Sequence, residues 1–472
     1  MITKTTIVVT LGPATASEEM IKALIDLRVT VFRLNFSHGD FDSHQAMLDT
    51  IRRVSRRVPW AVCVMGDLCG PKIRAAHIEP AGRLEIGDEV VLRADSEPGT
   101  PYDFGITAPQ LIEDVQIGQR ILIDDGTIRL VAADKQPDRL MCTVQVGGTI
   151  STGKGINLPD TRLRLPAITE RDWAYVAWAV QNQLDYLALS FVQRAEEIEA
   201  LRSKLTAQNS PIRIVAKIEK PQAVDNLESI LHASDALLVA RGDLGVEMDL
   251  AHVPPAQKKM TALCRRFGKP VIVATQVLQS MMKNPVPTRA EASDVANAVM
   301  DYADAVMLSG ETAVGDWPIQ AVQFLAHACR VTERYLDQTD ALRPPIETRP
   351  ELHDREALAR SVAMMLDRIT ARLIVAWTAS GQTARLLSKM RPDVPVLALC
   401  PNDRIARQLA FYYGVLSVHM SCPGDFSAWL KQVETLCMQN DWAKQGDDIL
   451  LLPPEELLSP QSRWSIVMHT IA

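Results

Sequence analysis

The chain lacks the marks of an extracellular, membrane-bound or nucleic-acid-binding protein. Its eight cysteines, Cys63, Cys69, Cys142, Cys264, Cys329, Cys400, Cys422 and Cys437, are scattered with no C-x-x-C pair. Most sit in apolar runs such as WAVCVMGD and VLALC and read as buried free thiols, which leaves no disulfide framework to infer. No window approaches the ~18–20 unbroken apolar residues of a membrane span. The opening MITKTTIVVTLGPATASEEM has neither the long apolar core nor the small-residue cleavage site of a secretory signal, so the expected location is cytoplasmic. Basic residues are not in excess: the net charge is −7 and the pI about 5.8. That excludes a general nucleic-acid binder, although a local basic cluster can still serve an anionic substrate. Composition is otherwise ordinary for a soluble protein, 47% hydrophobic and 23% charged, which rules out disorder and collagen-like repeats. At 472 residues the chain is long enough for about three domains.

Short β-branched runs alternate with amphipathic stretches from the start. Strands are expected at 5–12, 29–36, 60–68, 185–192, 213–219, 236–244, 270–276 and 305–311, each trailed by a helix. Their near-continuous apolar character suits a parallel sheet buried on both faces. Eight βα units close naturally into a TIM barrel; an open doubly wound sheet has the same unit count. The rhythm breaks over 70–166, where GRLEIGDEVVLRA, QRILIDDGTIRLVAAD and RLMCTVQVGG alternate between Gly and Asp turns. This predicts a small β-barrel lid inserted after the third strand, over the catalytic end of the barrel, with Pro- and Gly-bearing exits that can hinge. The expected division is 1–69 with 167–335 for the (β/α)8 barrel, 70–166 for the lid and 336–472 for a C-terminal α/β domain beyond a polar, Pro-bearing linker.

Polar residues recur at the strand ends of an otherwise apolar barrel, where a barrel enzyme keeps its site. They are Arg33, Asn35 and Ser37; Asp67; Ser190; Lys217 and Glu219; Arg241 and Asp243; Thr275; and Ser309 and Glu311. Glu219 and Asp243 end adjacent strands, so their carboxylates can converge on one divalent cation, as Mg²⁺ prefers. Each could equally pair with a neighbouring Lys or Arg. Lys217 lies two residues from Glu219 and shares its face, placed to neutralise a moving phosphoryl group. A Schiff-base lysine is the alternative. Gly148–Gly155 nearly spells a P-loop, but Gly155 replaces the Ser or Thr that would hold Mg²⁺, and the segment runs into INLP rather than a helix.

The segments VFRLNFSHG, GDLCGPKIR, KGINLP, AKIEKPQAV, VARGDLGVE, VIVATQVLQSMMKNPVPTRAEASDVANAV and MLSGETAVGDWP resemble pyruvate kinases, nearly continuously over residues 4–325. The resemblance implies phosphoryl transfer from phosphoenolpyruvate to ADP, giving pyruvate and ATP. It implies Glu219 and Asp243 as ligands of Mg²⁺ or Mn²⁺, Arg33 and Lys217 on the phosphoryl group, and Thr275 at the face where the enolate is protonated, with Ser309 and Glu311 in a water relay. The amides of the Arg241-Gly242-Asp243 turn would receive the substrate carboxylate, with Ser190 nearby. Lys154, Arg74, His38 and Asn35 would attend the nucleotide, and Asp125 would latch to Arg33 as the lid closes. A homotetramer is implied as well.

One departure concerns monovalent cations. Many members carry D-T-K-G-P-E where this chain has Asp67-Leu68-Cys69-Gly70-Pro71-Lys72, and there potassium sits among groups matching Asn35, Ser37 and Asp67. The chain is similar to the lysine-bearing branch, which works without potassium. Lys for Glu adds two units of positive charge, and the ammonium can replace the cation. In the C-terminal domain Thr378-Ala-Ser380-Gly381-Gln382-Thr383 follows a strand and opens a helix, resembling the family's effector loop. Gln382 stands where a basic residue is common, so a sugar monophosphate or AMP is expected there rather than a bisphosphate. A capped helix without ligand is the other reading.

Overall fold

The computed structural model describes residues 3–162, 164–339, 353–458 and 464–472. Of the polar stretch 333–352 expected to be a linker, residues 333–338 instead continue the helix Pro318–Gln338, and 340–352 lies outside the described residues, as do 459–463 of the tail. Eight parallel strands close into a barrel: β1 (Thr6–Thr10), β2 (Val31–Asn35), β3 (Cys63–Asp67), β4 (Tyr186–Leu189), β5 (Arg213–Ile218), β6 (Ala236–Ala240), β7 (Val271–Ala274) and β8 (Ala305–Leu308). Closure is made by β1, which pairs Val8 with Met307 of β8 and Thr10 with Arg33 of β2. The open doubly wound sheet is thereby excluded.

Alternation along the strands decides what fills the barrel and what crowns it. Val31, Cys63, Met65, Tyr186, Ala188, Val215, Ala236, Leu238, Ile272, Ala305 and Met307 belong to one buried interior cluster. Side chains on a strand repeat every two residues, so the next in phase at the carboxyl ends are Arg33, Asp67, Ser190, Lys217 and Ser309. The lower end of the barrel is closed by the C-terminal domain, whose Ala410 and Phe411 join the same interior cluster. The Phe411 ring meets Tyr186 edge-on at 4.7 Å between centroids.

The insertion wraps strands around its own core of Leu84, Val90, Leu92, Phe104, Ile121 and Ile150. Its main sheet has six strands in the order 156–157, 120–123, 128–135, 139–146, 89–93 and 103–105, beside a two-stranded pair, 148–150 with 82–84. Its entry is held by Asp172, a fully buried residue that caps its own helix through Thr169 and accepts hydrogen bonds from the amides of Cys69 (2.8 Å) and Gly70 (3.2 Å). Gly70 has φ +67, and a Cβ there would lie 2.8 Å from the Phe191 ring, so glycine is required at this turn.

The C-terminal domain contains β9 (Ile374–Trp377), β10 (Val396–Cys400), β11 (Val415–His419), β12 (Asp448–Leu452) and β13 (Val467–Thr470). Their order is β11-β10-β9-β12-β13, parallel except for β13, with helices packed on the sheet. Among the described residues no helix is long and apolar enough to cross a membrane.

Candidate active site

At the barrel's carboxyl rim the in-phase side chains form one buried charge network. Lys217 on β5 places its Nζ 2.7 Å from Ser190 Oγ, 2.9 Å from Glu219 Oε1 and 3.2 Å from Asp67 Oδ1. Arg33 on β2 donates to Asp67 Oδ2 from Nε (2.7 Å) and holds it again from Nη2 (2.6 Å), while its Nη1 donates to Thr10 Oγ1 (3.0 Å). Ser190 donates onward to the Leu68 carbonyl (2.7 Å). Burial alone would lower the Lys217 ammonium, but Asp67 and Glu219 outweigh it and hold the lysine charged above its ordinary value. Burial likewise pushes the Asp67 carboxyl up, and Lys217 with Arg33 overcome it, so Asp67 stays ionised below the usual carboxylate range.

Glu219 and Asp243 carry the opposite sign of stress. Burial, joined by the charge of Asp243 and opposed by Lys217, pushes Glu219 up to about 7. Asp243 is also raised, by burial first and then by Asp125 and Asp67, against the pull of Lys217. Two desolvated carboxylates that repel one another are relieved by a divalent cation. Among the described residues no three His, Cys, Asp or Glu side chains gather into a metal cage. Two carboxylates completed by water and substrate oxygens are what Mg²⁺ takes, so the donor set fits it.

The structure revises several expected roles. Asp243 stands on a short helix, Arg241–Glu247, rather than at a strand end. The Gly242 amide is taken: it donates to Thr275 Oγ1 at 2.6 Å, and that hydroxyl donates to the Ala274 carbonyl at 2.6 Å. Thr275 has φ +66, which turns it out of the strand's alternation toward Gly242. Glu311 is buried with both oxygens occupied, one accepting from the Ser309 amide (2.8 Å) and the other from the Leu278 amide (3.0 Å). It clamps the loops after β7 and β8, and each oxygen keeps a further lone pair. Ser309 Oγ, by contrast, is buried without a hydrogen-bond partner among the described residues.

Above the rim a cleft of about 200 Å³ separates barrel and insertion. Lys72, Arg74 and Asp125 line it from the insertion side and Asp243, Lys220 and Glu247 from the barrel. The expected Asp125–Arg33 latch is not formed: Arg33 is committed to Asp67 and Thr10, and Asp125 lines the cleft with Asp243. Lys154 pairs with Asp124 at 2.7 Å. Arg74 donates to the Gly153 carbonyl (2.7 Å), and Asn35 accepts from the Ser37 amide (3.2 Å). His38 is lowered by partial burial and then by Lys72, Arg33, Arg74 and Arg171, which places those cations around it. In the C-terminal domain Gly381 has φ +82 before the helix Gln382–Lys389. There Arg355 donates to Gln382 Oε1 at 2.7 Å, and both sides of a cleft of about 300 Å³ are lined, by Arg355, Trp377, Thr378, Ser380 and Thr383 and by Glu455 and Trp464.

Sequence reasoning missed Lys220, Glu247 and Asn157, which meet in the cleft, and Arg355. Lys220 and Glu247 were signalled only as the last charges of AKIEK and GDLGVE. Arg355 comes from a separate helix, and no local pattern points to it.

A closed (β/α)8 barrel crowned by buried lysine, arginine and paired carboxylates, under an inserted domain with cations facing the cleft, defines a phosphotransferase. The pyruvate kinase barrel-domain model matches residues 2–322, and the pyruvate kinase alpha/beta-domain model matches 356–453. The pyruvate kinase of Geobacillus stearothermophilus is 39% identical over 453 residues, covering 95% of this chain and 77% of that protein. That of Staphylococcus saprophyticus is 41% identical over 455 residues, with the same coverage. A crystal structure of a pyruvate kinase from Cryptosporidium parvum superposes with a TM-score of 0.91 at 33% identity, covering 99% of this chain and 96% of that one. The chain belongs to the pyruvate kinase family.

Proposed function

We propose that the chain transfers the phosphoryl group of phosphoenolpyruvate to ADP with Mg²⁺, without needing potassium, and that its C-terminal domain regulates the rate. The observation that carries this reading is the buried Arg33–Asp67–Lys217–Glu219 network at the barrel rim. In the reaction the ester P–O bond of the substrate breaks, a bond forms to a β-phosphate oxygen of ADP, and the enolate left behind takes a proton at its methylene carbon.

Such a transfer needs fixed positive charge around the phosphoryl oxygens and little covalent help. Lys217 and Arg33 supply it, and Asp67 holds both in place with one oxygen each. Glu219 and Asp243 are the residues that would hold Mg²⁺. The bound ion would neutralise charge on the substrate carboxylate and phosphoryl oxygens. A substrate carboxylate received at the Gly242 and Asp243 amides takes the place of Thr275 Oγ1 on the Gly242 N–H. Binding thereby frees a lone pair of the Thr275 hydroxyl, whose proton stays on the Ala274 carbonyl, and Thr275 is assigned to the face where the enolate is protonated, with Ser309 and Glu311 in a water relay.

Arg74, Lys154, His38 and Asn35 are assigned to the nucleotide side, and Lys72 to the work of a monovalent cation. Lys72 lines the cleft, and its charge is felt at His38 beside Asn35 and Ser37. The barrel (1–69 and 167–335) catalyses, 70–166 covers the site, and 336–472 senses an effector. Arg355 adds one positive charge beside the 378–383 loop, which suits a sugar monophosphate or AMP. A cytoplasmic homotetramer completes the reading. The test is pyruvate formation with ADP supplied and withheld. Pyruvate released only with ADP, in equal amount to ATP, is the expected result; release without ADP, with inorganic phosphate in equal amount, would mark transfer to water instead and overturn the reading.

A further inference from the structure

The cleft between barrel and insertion contains a three-residue contact, two of its members buried and Asn157 half-buried, that the phosphoryl-transfer network does not use. Glu247 lies at the end of the helix Arg241–Glu247, and its Oε1 accepts from Lys220 Nζ at 3.0 Å and from Asn157 Nδ2 at 2.9 Å. Lys220 is 5% and Glu247 3% exposed. Lys220 and Glu247 belong to the barrel rim, whereas Asn157 belongs to the insertion, on the strand by which the chain returns to the barrel. The same joint is reinforced by Gln222, which donates to the Pro159 carbonyl at 3.4 Å. Arg120, on the adjacent insertion strand, stands close enough to feel the charge of Glu247.

A single carboxylate oxygen that receives one donor from each body is a fixed point between them. Two facts make it matter for the site. Asn157 pairs with Leu122 and Ile156 with Ile123, and the turn that follows carries Asp124 and Asp125. Arg74 bridges to Gly155, two residues before Asn157. Where Asn157 is held, the strand that orients Arg74, Lys154 and Asp125 is held too. A hydrogen bond to a buried charge is also among the stronger single contacts available to such a joint.

We infer that Lys220 and Glu247 are positioning residues: through Asn157 they pin the insertion's return strand to the barrel rim, and so set where its cationic side chains stand over Glu219 and Asp243. The consequence for nucleotide affinity rests on the function proposed above; the pinning itself does not. Lys220 fixes the Glu247 carboxylate, and Asn157 reads that fixed position from the other body.

Asn157→Ala in the full chain is the test, because it removes the insertion's donor and leaves the Lys220–Glu247 pair buried and intact. Amide exchange over 120–125 and 154–158 is expected to rise by about tenfold or more, as loss of a hydrogen bond to a charged group predicts. KM for ADP is expected to rise by a similar factor while KM for phosphoenolpyruvate stays within about twofold, the split that positioning of the nucleotide side alone predicts. Glu247→Gln, which keeps an acceptor for Asn157 but strips Lys220 of its counter-charge, is expected to show the same exchange pattern. Unchanged exchange in folded Asn157→Ala would overturn the inference, and so would an equal rise in both KM values. Should the wild type form no pyruvate at all, the functional reading fails by itself, and the exchange measurement still decides the pinning.

Discussion

Lys217 shows why the rim tolerates so much buried charge. An ion removed from water is costly unless its partners replace the lost hydration, and Lys217 has three oxygen partners within 3.2 Å. The arrangement leaves it charged at the rim, where the proposed function puts the phosphoryl oxygens. Lys217→Met is expected to lower kcat by roughly 100- to 1,000-fold, the range for loss of one preorganised electrostatic group. Steady-state kinetics on protein with wild-type circular dichroism checks it, and a loss below tenfold would contradict the role. Asp67 gives a second expectation, in pH. Its folded carboxyl is held below the unfolded value of 3.8, so the stability it contributes is present above about pH 3.8 and lost as the pH falls further. Asp67→Asn therefore lowers Tm at neutral pH, and scanning calorimetry should find the gap to wild type closing below pH 3.8. A gap independent of pH would refute that assignment.

At the scale of elements, the period-two pattern of the strands brings Arg33, Asp67, Ser190 and Lys217 to one rim, and this much was readable from the chain. Apolar strands ending in polar residues at matching phase leave little choice once the barrel closes. Thr275 breaks that phase through its left-handed φ of 66°, which no local signal in VIVATQ announces. Glu311 was legible as a rim acid, but its partners were not: the amides of Ser309 and Leu278 come from two loops whose approach only the folded barrel creates. The same holds for Asn157 and Glu247, ninety residues apart. The clamp has its own expected outcome. Glu311→Gln retains one acceptor and turns the other toward a donor, leaving a buried amide without a partner, at a cost of roughly 1–3 kcal/mol. Urea unfolding measures it, and a change under about 0.5 kcal/mol would argue that the loops hold without it.

Taken whole, the molecule joins its barrel to its C-terminal domain by buried ion pairs beneath the strands. Asp304, just before β8, accepts from the Val271 amide (2.9 Å) and pairs with Lys389 (2.8 Å) and Arg391 (3.2 Å) of the C-terminal domain. Asp185, just before β4, repeats the device with the Val64 amide (2.9 Å) and Arg407 (2.8 Å). Lys389 closes the helix that begins at the 378–383 loop, so that loop and the base of β8 share one rigid element. Lys389→Met strands the Asp304 charge against the lone Arg391 and is expected to cost roughly 3–5 kcal/mol, with part recovered by adding Asp304→Asn. Equilibrium denaturation of the double variant and of each single variant, Asp304→Asn included, decides it, and full independence of the substitutions would contradict the pairing. The central claim, that this buried rim moves a phosphoryl group from phosphoenolpyruvate to ADP with a lysine in place of potassium, is tested most directly by one rate. Pyruvate formation is measured with phosphoenolpyruvate, ADP and Mg²⁺ in potassium-free buffer and again after potassium is added. Equal, robust rates are the predicted result; activity that appears only with potassium, or in neither buffer, would contradict it.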